Sequence, residues 1–289
     1  MRNENVPRGA LAYIVLVAIA ACAVGVTGAQ FTSSVDHVSP VWFVVVTLCV
    51  IVADIYPIVS FGFGGAATEV TVSLAITFAV ACIWPPVQGM LLVALGAVIS
   101  DIAGRKTWEK ILFNASHYAI TVGASSIVYR LLSVDGVGFL EGQNLLALVV
   151  CALLYFSVDA LVFSGLFATL TSEAWPRVLL SFVRQSWLDS AALIPLGIVL
   201  AALFRVNPFA MLLLVPTFLL LYSALKREEA LRNQTQAILE KLVDVLESKS
   251  PETAQHSKRV RAWVEDICNE LGLENSESVV VIQAAVLHD

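Results

Sequence analysis

Residues 86–131 read PVQGMLLVALGAVISDIAGRKTWEKILFNASHYAITVGASSIVYRL. Two apolar runs, 86–103 and 111–131, flank a short polar break that carries Arg105, Lys106 and Lys110. Each run approaches the roughly 20 residues a helix needs to cross a bilayer core. A helix satisfies its backbone groups internally where no water reaches them. The stretch therefore predicts two consecutive membrane helices joined by a basic loop. The loop also sets their direction, because Lys and Arg accumulate on the cytoplasmic side.

The pattern continues outward on both sides. Further apolar runs lie at about 10–29, 41–60, 69–84, 144–169, 188–204 and 208–224, which makes eight in all. The run at 69–84 is short and ends on Trp84-Pro85-Pro86, so it is expected either to form a tight hairpin with the next run or to enter the membrane obliquely. Composition agrees with membrane embedding: 58% of residues are hydrophobic and 14% charged, and the mean hydropathy is +0.82, outside the range of soluble domains. Charge becomes dense only after Tyr222, where acids and bases alternate. The fold class is accordingly all-α: a polytopic helical membrane domain over 1–224, a linker or signalling helix over 225–250, and a small water-exposed region over 251–289.

With the N-terminus inside, Arg2, Arg8, Arg105, Lys106, Lys110, Arg177, Arg184, Lys226, Arg227 and Arg232 all fall on the cytoplasmic side, and only Arg130 and Arg205 fall opposite. With eight spans, this asymmetry predicts a multi-pass membrane protein with both termini in the cytoplasm. The loop of Asp135 and Glu141 is then external. The run at 10–29 lies between basic residues and Thr27-Gly28-Ala29, flanks that a signal peptide shares; its length and the spans that follow favour an uncleaved first helix.

Several chemistries are excluded. A net charge of −6 leaves no basic stripe for a nucleic-acid polymer. The five cysteines are scattered and include no CxxC pair, which argues against a disulfide framework or zinc site. Gly62, Gly64 and Gly65 in SFGFGG have neither a preceding strand nor a following Lys-Ser/Thr, so they read as a loop after the second span rather than a phosphate loop. No internal repeat points to an inverted-repeat transporter.

Two groups of candidate functional residues remain. The first lies within the spans, where an ionisable side chain costs on the order of 3 kcal/mol or more at the bilayer centre unless paired or hydrated. Asp54 and Asp159 lie deepest in their runs; Asn114 and His117 share a helical face that Thr121 continues. These groups form either a polar pocket for a ligand or ion, or interhelical hydrogen bonds that satisfy one another. Asp101 and Asp189 read as interfacial.

The second group lies in the tail. Residues 225–248 contain no Pro or Gly and place Leu231, Ile238, Leu242, Val245 and Leu246 on one stripe, an amphipathic helix continuing out of the last span. That stripe must bury against a second copy in a homodimer or against the tail itself. Pro251 opens the next helix, where His256, Val260, Val264, Ile267 and Leu271 recur at spacings of 3 and 4 and Glu252 lies one turn before His256. Gly272 ends it, and Val279, Ile282, Ala285 and Val286 form another apolar stripe that leads to His288 and Asp289. Neutral imidazoles and carboxylates converging in this way suit one or two divalent ions; a satisfied inward histidine and a helix-end aspartate are the alternative.

HSKRV at 256–260, a helix ending in LGL at 271–273, and AAVLHD at 284–289 together resemble the start of the HD-domain metal-dependent phosphohydrolases. The likeness is closest to the HD-GYP branch, whose members hydrolyse cyclic di-GMP; LVDVLES at 242–248 and SPETAQHS at 250–257 resemble the lead-in of that branch. The resemblance covers 231–289. It implies an all-helical domain in which His256, His288 and Asp289 match metal ligands, His288 and Asp289 stand at the catalytic centre, and Glu252 matches the extra ligand of three-metal members. Arg259 and Ser257 match the motif without an assigned role. Two or three divalent ions (Fe, Mn or Mg) and a cyclic dinucleotide or other phosphoester are the implied cofactors and substrate.

The family's remaining ligands and its GYP signature follow the position of Asp289. Residues 1–289 are thus expected to be a fragment that opens the site and turns over little by itself. A bilayer-embedded sensor with this output is the favoured reading. A receptor with a degenerate HD module acting by binding or dimerisation, and a transporter or channel with a regulatory tail, are the competing ones.

Overall fold

The computed structural model describes residues 7–31, 39–56, 58–61, 67–70, 72–171, 173–249, 251–271, 281–282 and 284–285. The helices are α1 (Arg8–Ala29), α2 (Pro40–Ile55), α3 (Ser73–Ile83), α4 (Pro86–Ala103), α5 (Trp108–Leu132), α6 (Gly142–Thr171), α7 (Trp175–Val206), α8 (Val215–Lys249) and α9 (Pro251–Leu271), with a 3₁₀ segment at Pro208–Leu214. One two-stranded ribbon, β1 (Ile58–Phe61) and β2 (Ala67–Val70), interrupts the helical pattern. Its connection, 62–66, is too short for a crossover, so the pair is antiparallel.

The ribbon corrects the expected second run at 41–60, which ends as a helix at Ile55. Pro57 disfavours helical backbone at Tyr56 and cannot donate an amide hydrogen, and the β-branched Ile58 and Val59 then suit a strand. Gly62, Gly64 and Gly65 lie outside the described residues, and the segment before them is a strand.

Five helical segments are long and apolar enough to cross a membrane: Arg8–Ala29, Pro86–Ala103, Trp108–Leu132, Gly142–Thr171 and Ser186–Val206. Pro40–Ile55, Ser73–Ile83 and Pro208–Ala224 are shorter apolar helices. The side chains are distributed as lipid demands. Leu16, Ile19, Leu91, Leu146 and Leu153 are more than half exposed, whereas Thr77, Thr121, Ser125, Ser126 and Ser164 are buried. An apolar exterior around a hydroxyl-rich interior is the arrangement of a membrane bundle, where small and polar residues mediate helix contacts. The protein is a membrane protein.

The chain divides into two compact units, Met1–Pro57 with Val70–Leu219, and Ile58–Glu69 with Leu220–Asp289. In the first, α5 packs against α4, α1, α6 and α3. α3 is buried nearly all round, with Ala75, Thr77, Phe78 and Val80 at 0% exposure. At 11 residues it is only about 16 Å long. It packs chiefly against α7 and α5 and little against α4, so the tight hairpin considered for it does not form. Trp84-Pro85 turns the chain instead, and Pro86 begins α4, where its missing amide hydrogen costs nothing.

The span expected at 188–204 falls within the apolar segment Ser186–Val206, and α7 itself extends back to Trp175, because Pro176 suits a first turn and no breaker follows until Pro195. It approaches α3 through Gly197, where a β-carbon would lie 2.6 Å from the Ala75 carbonyl oxygen. The loop between α5 and α6 is organised by Asn144, which is 4% exposed. Its Oδ1 accepts from Val134 N at 2.7 Å, and its Nδ2 donates to the carbonyls of Val134 and Val137 at 3.1 and 3.0 Å. Asn144→Ala leaves those groups without their partner and is expected to cost about 2 kcal/mol or more. Faster proteolysis within 133–141 and a lower melting midpoint in detergent would register the loss.

In the second unit, α8 runs without a break to Lys249, and Leu231 and Ile238 on its predicted stripe are 64% and 58% exposed. On α9 the inward row is Val260 and Val264, both half-buried, and then Cys268 at 3% exposure. Ile267 and Leu271, expected on the buried face, are 55% and 68% exposed, because the row advances by four residues per turn rather than by alternating three and four. Arg261 Nε donates to Glu265 Oε1 at 2.9 Å along the outer face.

Candidate functional site

The intramembrane candidates are gathered by α5 and α6, consecutive and antiparallel. His117, Thr121 and Ser125 occupy successive turns of one α5 face, and Cys151, Tyr155 and Asp159 do the same on α6. The two rows meet in opposite order. His117 Nε2 lies 3.0 Å from Asp159 Oδ1 at one end, and the Cys151 thiol donates to the Ser125 carbonyl at 3.5 Å at the other. Between them the Tyr155 hydroxyl shares a 2.7 Å hydrogen bond with Thr77 Oγ1 of α3. Sequence reasoning named His117, Thr121 and Asp159, which the fold brings to one polar seam; Asp54 lies on α2, which packs against α4 and α3.

Aromatic rings hold His117 in place. Its imidazole stacks on Phe113 at 5.6 Å and Tyr118 at 5.7 Å, with Phe163 at 5.9 Å. The approach to Asp159 is close but lies off the N–H axis, so the two atoms meet without a linear hydrogen bond. On α1, the Tyr13 hydroxyl donates to the Val162 carbonyl at 3.0 Å and rests on Gly165, where no β-carbon would fit.

Asn114 is directed elsewhere. Its Nδ2 donates to Asp101 Oδ2 at 2.8 Å, and Lys106 Nζ lies 3.1 Å from Asp101 Oδ1. Asp101, expected at the interface, is 4% exposed and ties the end of α4 to the start of α5. The Asn114 contact is therefore a clamp at the basic loop, one turn before the seam begins.

Tyr155, Thr77, Cys151 and Ser125 were not among the residues singled out from sequence. Their signal is a pair of matched four-residue spacings, His-x₃-Thr-x₃-Ser on α5 and Cys-x₃-Tyr-x₃-Asp on α6. A search for isolated ionisable groups passes over hydroxyls, and hydroxyls supply most of the seam. A second feature of this unit is apolar, a cavity of about 110 Å³ lined by Val46, Ile83, Trp84, Phe204, Met211 and Phe218 among others.

For the candidate metal ligands, Glu252 and His256 both fall within α9, one turn apart. His288 and Asp289 lie outside the described residues. Among the described residues, no group of three or more His, Cys, Asp or Glu side chains is placed to hold a metal ion.

The family model of MASE9, a membrane-associated sensor domain, matches residues 11–232. The match takes in the membrane helices and the first part of α8 and stops before α9. No curated protein matches the chain, and no solved structure does.

Proposed function

Because this chain belongs to the MASE9 family, we propose that residues 11–232 are the sensing part of a bacterial inner-membrane signalling protein and that the region after them opens an HD-type phosphohydrolase domain. The observation that carries the sensor reading is the His117–Asp159 contact at 3.0 Å within a buried polar seam. Such groups are costly in a membrane and mark sites where a ligand or ion is handled. With the five long apolar helices, the three shorter ones, of which α3 would cross only part of a bilayer, account for the eight apolar runs of the sequence, and the Lys/Arg asymmetry favours a cytoplasmic position for both termini.

The output reading rests on the resemblance of 231–289 to HD-GYP phosphohydrolases. His256, His288 and Asp289, with Glu252 as an additional ligand, would hold divalent Fe, Mn or Mg ions. Those ions supply activation of water for attack on the phosphodiester of cyclic di-GMP. The exposed stripe of Leu231 and Ile238 favours a homodimer through α8. In that arrangement a change in the membrane bundle reaches the phosphohydrolase through one helix, Val215–Lys249.

Determination of the coding sequence that follows Asp289 tests the output assignment directly. Further His and Asp ligands and then a GYP motif are expected. Their absence would overturn the phosphohydrolase reading and leave a receptor with a degenerate module.

A further inference from the structure

We propose that the α5–α6 seam binds and relays a proton, held by the His117–Asp159 pair and passed along the Tyr155, Thr121 and Ser125 hydroxyls through bridging water. The inference rests on the sensor reading and deepens it by naming what the site takes up. Three observations lead to it.

The first is an exception in the hydroxyls. In these helices Ser and Thr side chains return their proton to a backbone carbonyl three or four residues back, as Thr47 does to Phe43, Ser157 to Leu153 and Thr171 to Phe167, at 2.7 to 2.9 Å. Thr121 and Ser125 are 1% and 0% exposed, yet among the described residues their hydroxyls make no hydrogen bond. A buried polar group left in that state costs about 1–3 kcal/mol, and buried water is the usual remedy.

The second is spacing. Groups on successive turns of one face stand about 5–6 Å apart, which a chain of one or two bridging waters with hydrogen bonds of about 2.8 Å spans. His117, Thr121 and Ser125 repeat that interval along α5 while Asp159, Tyr155 and Cys151 repeat it opposite. Each hop moves one proton from an oxygen to its neighbour as that neighbour releases its own onward, so no electron moves and no co-reactant is consumed.

The third is charge. A neutral imidazole beside an ionised Asp159 leaves a net negative charge in a low-dielectric bundle, and one added proton removes it. The groups around the pair are Tyr155 on α6, Thr77 on α3, Phe113 and Tyr118 on α5, and Tyr13 on α1. The cations stand at the ends. Lys106 is bound to Asp101 beside the α5 start. Arg205 lies 4.6 Å over Phe139 and 5.9 Å over Tyr129, one turn beyond Ser125. A fixed guanidinium there opposes a proton, whereas the Asp159 side chain keeps 21% exposure. The proton therefore arrives at the Asp159 end, and Arg205 closes the other.

The test uses the full chain in detergent and in vesicles. Lowering the pH from about 8 to about 5, the range in which histidine changes charge, is expected to load about one proton per chain more in wild type than in Asp159→Asn. An infrared band of the seam that responds to pH should vanish in the same variant. Thr121→Val with Ser125→Ala should keep the proton count and slow its uptake about tenfold. Equal uptake by wild type and Asp159→Asn, or an unchanged rate in the hydroxyl double variant, overturns the proposal. If Asp159→Asn does not fold, equal proton uptake by wild type and His117→Gln overturns it equally. Proton uptake without any effect on output would defeat the sensor reading and leave the proton site; a stimulus response without uptake would do the reverse.

Discussion

Replacing Gly197 with valine is expected to separate α7 from α3 and lower the melting midpoint of the solubilised protein by about 5 °C or more. A β-carbon at this position would lie 2.6 Å from the Ala75 carbonyl oxygen and 3.2 Å from the Phe78 ring. Neither neighbour has room to give. Ala75 and Phe78 are both 0% exposed, and α3 is enclosed by the helices it packs against. Overpacking of such a contact costs roughly 1–3 kcal/mol where side chains absorb the strain. A backbone carbonyl absorbs less, and a loss of that size moves the midpoint of a domain this large by about 2–4 °C per kcal/mol. Pro195, two residues earlier, already withholds one amide hydrogen from the helix, so α7 has less cohesion to spend on resisting the shift. Gly9→Val is the matched control, because nothing lies within 4 Å of a β-carbon at Gly9. Equal midpoints for Gly197→Val and Gly9→Val would show that α3 does not seat on α7 through this glycine.

Gly197 also marks where the sequence stops being informative. The apolar runs announced the helices because bilayer thickness fixes their length, and α4 matches its predicted bounds residue for residue. What the runs do not encode is which helix sits inside. α3 has the same composition as its neighbours, and only its shortness hinted that it would be enclosed rather than lipid-facing. The seam was half legible for a similar reason. His117 and Asp159 stand out as ionisable groups in apolar surroundings, whereas Thr77, Ser125 and Tyr155 acquire meaning only when two antiparallel helices bring their four-residue spacings into opposition. Asp101 reads as interfacial from its place at the end of a run, and what the run does not reveal is that Asn114 and Lys106 fold back to cover it. The ribbon at 58–70 was missed because hydropathy does not distinguish a strand of Ile, Val and Phe from the last turn of a helix; the Pro57 signal did.

Asp289→Asn and His288→Ala are expected to lower metal-dependent hydrolysis of cyclic di-GMP by a hundredfold or more in protein carrying a completed HD domain. Loss of an outer partner of a metal ligand already costs roughly 10–100-fold, and removal of a ligand itself exceeds that. The two variants should differ in kind. A carboxylate adjacent to a histidine suits a bridging position between two ions, so Asp289→Asn is expected to lose bound metal that added manganese does not restore. Glu252→Gln, altering a ligand implied only for three-metal members, should retain two ions and much of its rate. His256→Ala belongs with the first class, because it takes away the contribution of α9, the only described helix that carries candidate ligands. Residues 1–289 alone, with four proposed ligands at most, should bind metal weakly and show little turnover. Metal content measured beside kcat separates the cases: activity lost with metal retained would assign these residues to substrate positioning, and robust manganese-dependent hydrolysis by residues 1–289 would overturn the reading of this region as the opening of a larger site.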